Sequence, residues 1–138
     1  MYDIAHHSNG GQVILATSSD PKHPSQYIID GDKSTFWTST GLFPQEFIIS
    51  FQSLMTISTV QVWCSNVRCL VVERSVKADP VDFEAIFDKE LESTDGRLQM
   101  EQFQADGTSA CHLKFVITSG YAHFTSVHSV VVEGEPVR

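Results

Sequence analysis

The chain has 138 residues, 41% of them apolar and 19% charged, with a formal net charge of −8. A chain of this size supports one domain, residues 1–138, and buries about two-thirds of the surface its unfolded form exposes; this composition excludes an intrinsically disordered chain. The nine Lys and Arg residues are scattered singly, which argues against a nucleic-acid backbone or an anionic membrane as partner.

The first residues, Met1-Tyr2-Asp3-Ile4-Ala5-His6-His7, lack the apolar run of a leader, and no apolar stretch reaches 18 residues. Cys64, Cys69 and Cys111 are an odd, sparse set. Free thiols in a reducing compartment are expected, with a Cys64–Cys69 disulfide as the lesser alternative. After the Gly10-Gly11 turn comes a short apolar run at 13–16. Residues 18–45 are polar and turn-rich, broken by Pro21, Pro24 and Pro44. Strands are then expected at 47–51, at 57–63 with a period of two, and at 67–73. Ser65-Asn66 is the expected hairpin turn between the last two. Residues 80–91 fit either a helix, through Phe83, Ile86, Phe87, Glu90 and Leu91, or a strand, through Phe83, Ala85, Phe87 and Leu91. Further strands are expected at 97–101, 112–118 and 127–133, with 135–138 frayed. Short, evenly spaced strands rich in Val, Ile, Phe and Thr predict an all-β antiparallel sandwich or jelly roll.

Catalytic motifs are missing from the sequence. There is no Gly-x-Ser-x-Gly elbow, no phosphate loop and no dinucleotide glycine pattern. His6 and His7 are adjacent, and His123 and His128 are five apart, so neither pair converges as zinc ligands on one strand face. Cys111 and His112 diverge as strand neighbours, and Glu90 and Glu92 have the look of a solvated face. Phe36 and Trp37 are expected in the core. Trp63 faces either core or partner, and Leu42-Phe43-Pro44 is either tucked in or exposed for binding.

The densest chemistry lies in Ile28-Ile29-Asp30-Gly31-Asp32-Lys33-Ser34-Thr35-Phe36-Trp37. Asp30, Asp32 and Thr35 are hard oxygen donors, and Gly31 permits a tight turn that presents carbonyls as well. The loop is not an EF-hand: counting from Asp30, the sixth position is Thr35 and the twelfth is Gly41, where that loop needs Gly and Glu. Two readings stand, an Asp-Gly turn capped by its own side chains and a calcium site. In a jelly roll the first and last strands are neighbours, which can bring Glu133 beside the Asp30 turn. Asp30, Thr35 and Glu133 would then offer side chains, and Tyr27, Asp32 and Val132 carbonyls, toward the six to eight or so oxygens that calcium takes.

The acidic loop before Trp37, together with Val132-Glu133-Gly134, resembles the discoidin, or galactose-binding-like, sandwich family. Within it, several strings are similar to the small jelly-roll subunits of intraflagellar transport complex B, a family that has also carried a small heat-shock name. They are Val13-Ile14-Leu15-Ala16-Thr17-Ser18-Ser19-Asp20, Lys22-His23-Pro24, Ile28-Ile29-Asp30-Gly31, Thr35-Phe36-Trp37, Phe43-Pro44-Gln45-Glu46-Phe47-Ile48-Ile49, Pro80-Val81-Asp82-Phe83-Glu84 and His123-Phe124-Thr125-Ser126-Val127-His128-Ser129-Val130. No α-crystallin pattern accompanies that name. The resemblance spans residues 13–134. It implies a non-catalytic scaffold with a structural calcium ion, paired with a Rab-like small GTPase and other transport subunits. The implied location is the cilium or flagellum and the cytoplasm around the basal body. A departure is Asp32, where the family has Asn; a site that uses only this residue's carbonyl tolerates the change. A stand-alone discoidin-like lectin is the alternative, though no clustered Arg-His sugar site is visible.

Overall fold

A computed structural model describes residues 2–18, 20–39 and 42–137. Its eight strands are β1 (Tyr2–Asp3), β2 (Gln12–Ala16), β3 (Trp37–Thr38), β4 (Gln45–Ser65), β5 (Val67–Ser75), β6 (Glu84–Glu90), β7 (Gln99–Gly120) and β8 (Ser126–Pro136). The regular elements otherwise are two short 3-10 turns, His7–Asn9 and Ser25–Ile29. The ladder runs β1-β8-β4-β7-β5-β6, with β2 also on β4 and β3 also on β8, and every pairing is antiparallel.

This one ladder folds over itself because β4 and β7 each pass through both layers. Residues 45–50 of β4 pair with β2 and with 112–117 of β7, whereas residues 55–65 pair with β8 and with 99–110 of β7. The register break between Ser50 and Met55 is the bend. The pairs of strands expected at 47–51 and 57–63, and at 97–101 and 112–118, are therefore two long bent strands. Ser65-Asn66 is also not a hairpin turn: β4 and β5 do not pair, and the chain crosses from one layer to the other there, with Asn66 at φ 60°. A sequence pattern reports a tight turn but not which strand it leads to.

One open alternative is settled and one expectation changes. Residues 84–90 form a strand, because Val72 opposite Phe87 and Glu73 opposite Ala85 use the β5 edge. The chain end is not frayed up to residue 137. Glu135 and Pro136 stand opposite Thr56 and Met55, and the Val137 N–H donates to the Leu54 carbonyl at 3.0 Å; Arg138 lies outside the described residues.

Alternation supplies the core. Met55 and Ile57, then Val60, Val62 and Cys64, point inward on β4, the phase being shifted by a bulge at Ser58. Val127, Val130 and Val132 answer from β8, and Leu113, Phe115 and Ile117 from β7. Trp37 meets Phe47 edge-on at 5.5 Å, and Phe47 stacks on Phe115 at 4.9 Å. Phe87 on Phe103, 4.6 Å apart, closes one side between the layers. At the opposite end of the chain Gly11 passes so close to Ala5 that an added Cβ would sit 1.9 Å from the Ala5 carbonyl oxygen. Gly11→Ala is expected to lower stability by about 1–3 kcal/mol. A chemical-denaturation midpoint equal to the wild type's would refute that close approach.

Candidate metal loop and partner surface

The acidic loop begins where the Ser25–Ile29 turn ends at Asp30. Ile28 and Ile29 are buried and anchor it from below. Gly31, at φ +75°, makes the turn that other residues resist, and its open side is covered by the His6 ring. The loop closes through its own oxygens. Asp30 Oδ1 accepts the Asp32 N–H at 2.9 Å, and the Thr35 hydroxyl lies 2.6 Å from Asp30 Oδ2 and 2.9 Å from the Asp32 carbonyl oxygen. Ser34 donates its hydroxyl and its N–H to the Asp32 carboxylate and so holds that carboxyl below the usual range. The Asp32 side chain is thus turned to Ser34, and what it adds to Asp30 and Thr35 is its carbonyl.

Three hard oxygens, Asp30 Oδ2, Thr35 Oγ1 and the Asp32 carbonyl, therefore share one point of the loop. Carboxylate, hydroxyl and carbonyl oxygens are the donor types that suit a hard cation such as calcium rather than a soft metal. The turn-capping pattern expected from Asp-Gly sequences is present in the same bonds, so capping and cation binding are not exclusive.

The other candidates sit as follows. Tyr27 lies in the Ser25–Ile29 turn, its N–H bonded to Pro24. Glu133 is half-buried on β8, opposite Asp3 on β1 and Thr59 on β4. The Val132 carbonyl accepts the Ile4 N–H at 2.8 Å. Among the described residues no three His, Cys, Asp or Glu side chains converge. The structure thus brings Asp30, Asp32 and Thr35 together, whereas Glu133 and Val132 stand against Asp3, Ile4 and Thr59 and form no carboxylate group with the loop among the described residues. Burial holds the Asp3 carboxyl above its ordinary range, although it accepts the N–H groups of Val132 and Ala5.

The loop is also tied to the outer face of the β8 layer, which the sequence did not reveal. His128 Nδ1 donates to the Lys33 carbonyl at 2.9 Å, and its ring stands beside Phe36, which stacks on His23 at 4.1 Å. Phe36 is therefore half-buried under the loop, while Trp37 alone of the pair enters the core. Lys33 Nζ lies 4.3 Å from the centre of the Trp63 ring, so Trp63 faces outward. Its outward neighbours across the ladder are Met100 and Ser129.

Trp63 borders the end of the sandwich where apolar residues are most exposed. The end is held together by Ser65 Oγ on the Gly96 carbonyl, Gln99 on both backbone groups of Val67, and Tyr121 N–H on the Asn66 carbonyl. Around it Leu42 is 90% exposed, Phe124 62% and Met100 52%; Leu98 and Tyr121 are also open. Leu42 is thus outward, whereas Phe43 packs on the core. Leu42, Phe43, Tyr121 and His123 border a hollow of 480 Å³. Ser39 and Thr125 clasp its two loops with hydrogen bonds of 2.9 and 3.2 Å.

Outside the loop the nucleophilic groups are the thiols and three serine–histidine contacts, His6–Ser8, Ser50–His112 and Ser126–His128. All three cysteines are free. Burial, helped by Glu101, pushes the Cys64 thiol up to about 12, and burial raises Cys111 as well. Ser50 Oγ lies 2.6 Å from His112 Nδ1, and His112 Nε2 donates to the Ala78 carbonyl at 3.0 Å, a bond that fixes the tautomer and clamps the 76–82 loop to β7. The two residues are cross-strand partners, a proximity invisible to sequence spacing.

No family model matches the chain. A human protein named Intraflagellar transport protein 25 homolog is 49% identical over 135 residues, which is 98% of this chain and 94% of that one. Its mouse namesake is 46% identical over 96% of this chain and 92% of its own. The Chlamydomonas reinhardtii protein named Intraflagellar transport protein 25 is 39% identical over 97% of this chain and 70% of its own. Among solved structures, the family 32 CBM from C. perfringens NanJ, in complex with galactose, superposes with a TM-score of 0.80 at 16% identity, over 96% of this chain and 98% of that one. Chitosan-binding module 1 of a Paenibacillus chitosanase/glucanase also gives 0.80, at 17% identity over 95% and 97%. These structures establish the galactose-binding-like jelly roll, and the near-full-length relatives establish the lineage: the chain belongs to the intraflagellar transport protein 25 family.

Proposed function

We propose that this protein is a non-catalytic subunit of intraflagellar transport complex B. In this reading it works in the cilium or flagellum and in the cytoplasm around the basal body, and pairs with a Rab-like small GTPase. A structural calcium ion sits in the acidic loop, held by Asp30, Thr35 and Glu133 with carbonyls of Tyr27, Asp32 and Val132. Family membership suggests the setting. The observation that carries the mode of action is the apolar end built from Leu42, Leu98, Met100, Tyr121 and Phe124 beside Trp63. Aromatic and apolar anchors of this kind dominate protein interfaces, and a stable pair buries at least about 1,200 Å² in total. Arg68 and Arg74 are already engaged with Glu90 and Glu84, and Arg74 also donates to the Ser109 carbonyl, so neither is free to serve as an anchor.

Phe124→Asp combined with Leu42→Asp is expected to weaken capture of other transport subunits from ciliated cells by about tenfold or more, with an unchanged melting temperature. Undiminished capture would move the interface elsewhere. A ligand-binding reading is favoured by the 480 Å³ hollow with its aromatic walls. Enrichment of glycans in the same capture, without transport subunits, would select it.

A further inference from the structure

The edge strand β2 carries an interaction surface of another kind. Among the described residues β2 pairs only with β4, so the backbone groups along its other side have no ladder partner. Two hollows, of 540 and 360 Å³, follow that side. They share Val13 and Gln26, and together run from Gly11 to Ser18 between β2 and the Ser25–Ile29 turn.

Natural edge strands are normally protected by charge, proline or a covering element. Gln12–Ala16 has no charge and no proline. It has a bulge between Val13 and Leu15, and Ile14 and Leu15 there are 43% and 42% exposed and line the same hollow. An open, apolar edge beside a cleft as long as the strand is the geometry that accepts an added strand.

We propose that this cleft docks an extended segment of a partner chain, antiparallel or parallel to β2. Main-chain hydrogen bonds would supply the pairing, and alternate apolar side chains would cover Val13, Ile14 and Leu15. The charge of the site selects the occupant. The cleft has no Lys or Arg, its one acidic lining residue is Asp30, and the chain as a whole carries −8. The segment is therefore basic or neutral, and a second copy of this acidic chain is disfavoured. The site lies on the layer opposite Trp63, away from the proposed GTPase surface, and it shares Asp30 and Tyr27 with the proposed calcium loop, so binding is measured both with calcium and with chelator.

The test is selection of a random nine-residue peptide library displayed on phage against the full chain. Enriched peptides should alternate apolar and polar residues and carry Lys or Arg. They should bind Ile14→Lys about tenfold or more weakly, and shift the amide resonances of residues 12–16 and Gln26. N-methylation of alternate peptide residues should abolish binding, because it removes the donors a ladder needs. The variant's melting temperature, expected unchanged at so exposed a position, separates lost binding from lost folding. No enrichment, helical spacing in the enriched peptides, equal affinity for Ile14→Lys, or resonance shifts confined to Trp63 and the Phe124 end would each overturn the proposal. Self-association of the chain that Ile14→Lys abolishes would overturn the choice of occupant.

Discussion

Trp37→Ala should be the most damaging single substitution among those considered, lowering stability by about 3–5 kcal/mol. The indole is fully buried and donates to the Ser18 carbonyl at 3.1 Å. It also stands edge-on to Phe47, which stacks on Phe115. Truncation leaves a cavity among side chains fixed by two layers of strand, so little of the volume can collapse. Trp37→Phe keeps most of the bulk and loses the hydrogen bond to Ser18, and should cost about 1–3 kcal/mol. Urea unfolding with an unchanged slope separates the two variants. A loss under about 1 kcal/mol for Trp37→Ala would mean that the layers close without it.

The second large effect belongs to calcium. A ligand that binds only the folded state adds about 2.7 kcal/mol when its free concentration is a hundredfold above the dissociation constant. For a domain of this size that corresponds to a rise in melting temperature on the order of 10 °C. The proposed ligands come from the Asp30 loop and from β8 near the other end of the chain, so the ion acts as a staple between them. Asp30→Ala also removes the acceptor of the Asp32 N–H, and its intrinsic cost is read in chelator. What tests the site is the calcium-dependent increment, which should vanish in this variant. If the wild type melts at the same temperature with and without chelator, the staple is absent. Glu133→Gln distinguishes the two halves of the site: it should shrink the increment only if β8 contributes its carboxylate.

Much of this architecture was legible in the sequence because β structure writes itself in a period of two. Most Val, Ile and Phe positions of β4, β7 and β8 are core positions of the structure. What the sequence hid were features set by distant contacts. The bend that makes 45–65 one strand depends on pairing with β7 fifty residues later. The corner at Ser65-Asn66 has the composition of a hairpin, but its two strands belong to different layers. Trp63 reads as either core or surface until the Ser58 bulge fixes the phase that turns it outward. The 80–91 segment has no periodic preference, and only the free β5 edge makes it a strand. Asp30, Asp32 and Thr35 were legible as a group because a tight turn keeps them local. Their supports, His6 over Gly31 and His128 on the Lys33 carbonyl, come from 25 and 95 residues away and left no local signal.

The most direct test of the central reading, a non-catalytic subunit that works by association, is size-exclusion chromatography of this chain co-expressed with a Rab-like small GTPase subunit. The account predicts one peak of one-to-one stoichiometry at micromolar concentration, broken by Phe124→Asp with Leu42→Asp. Two separate peaks with both GDP and GTP present would contradict it.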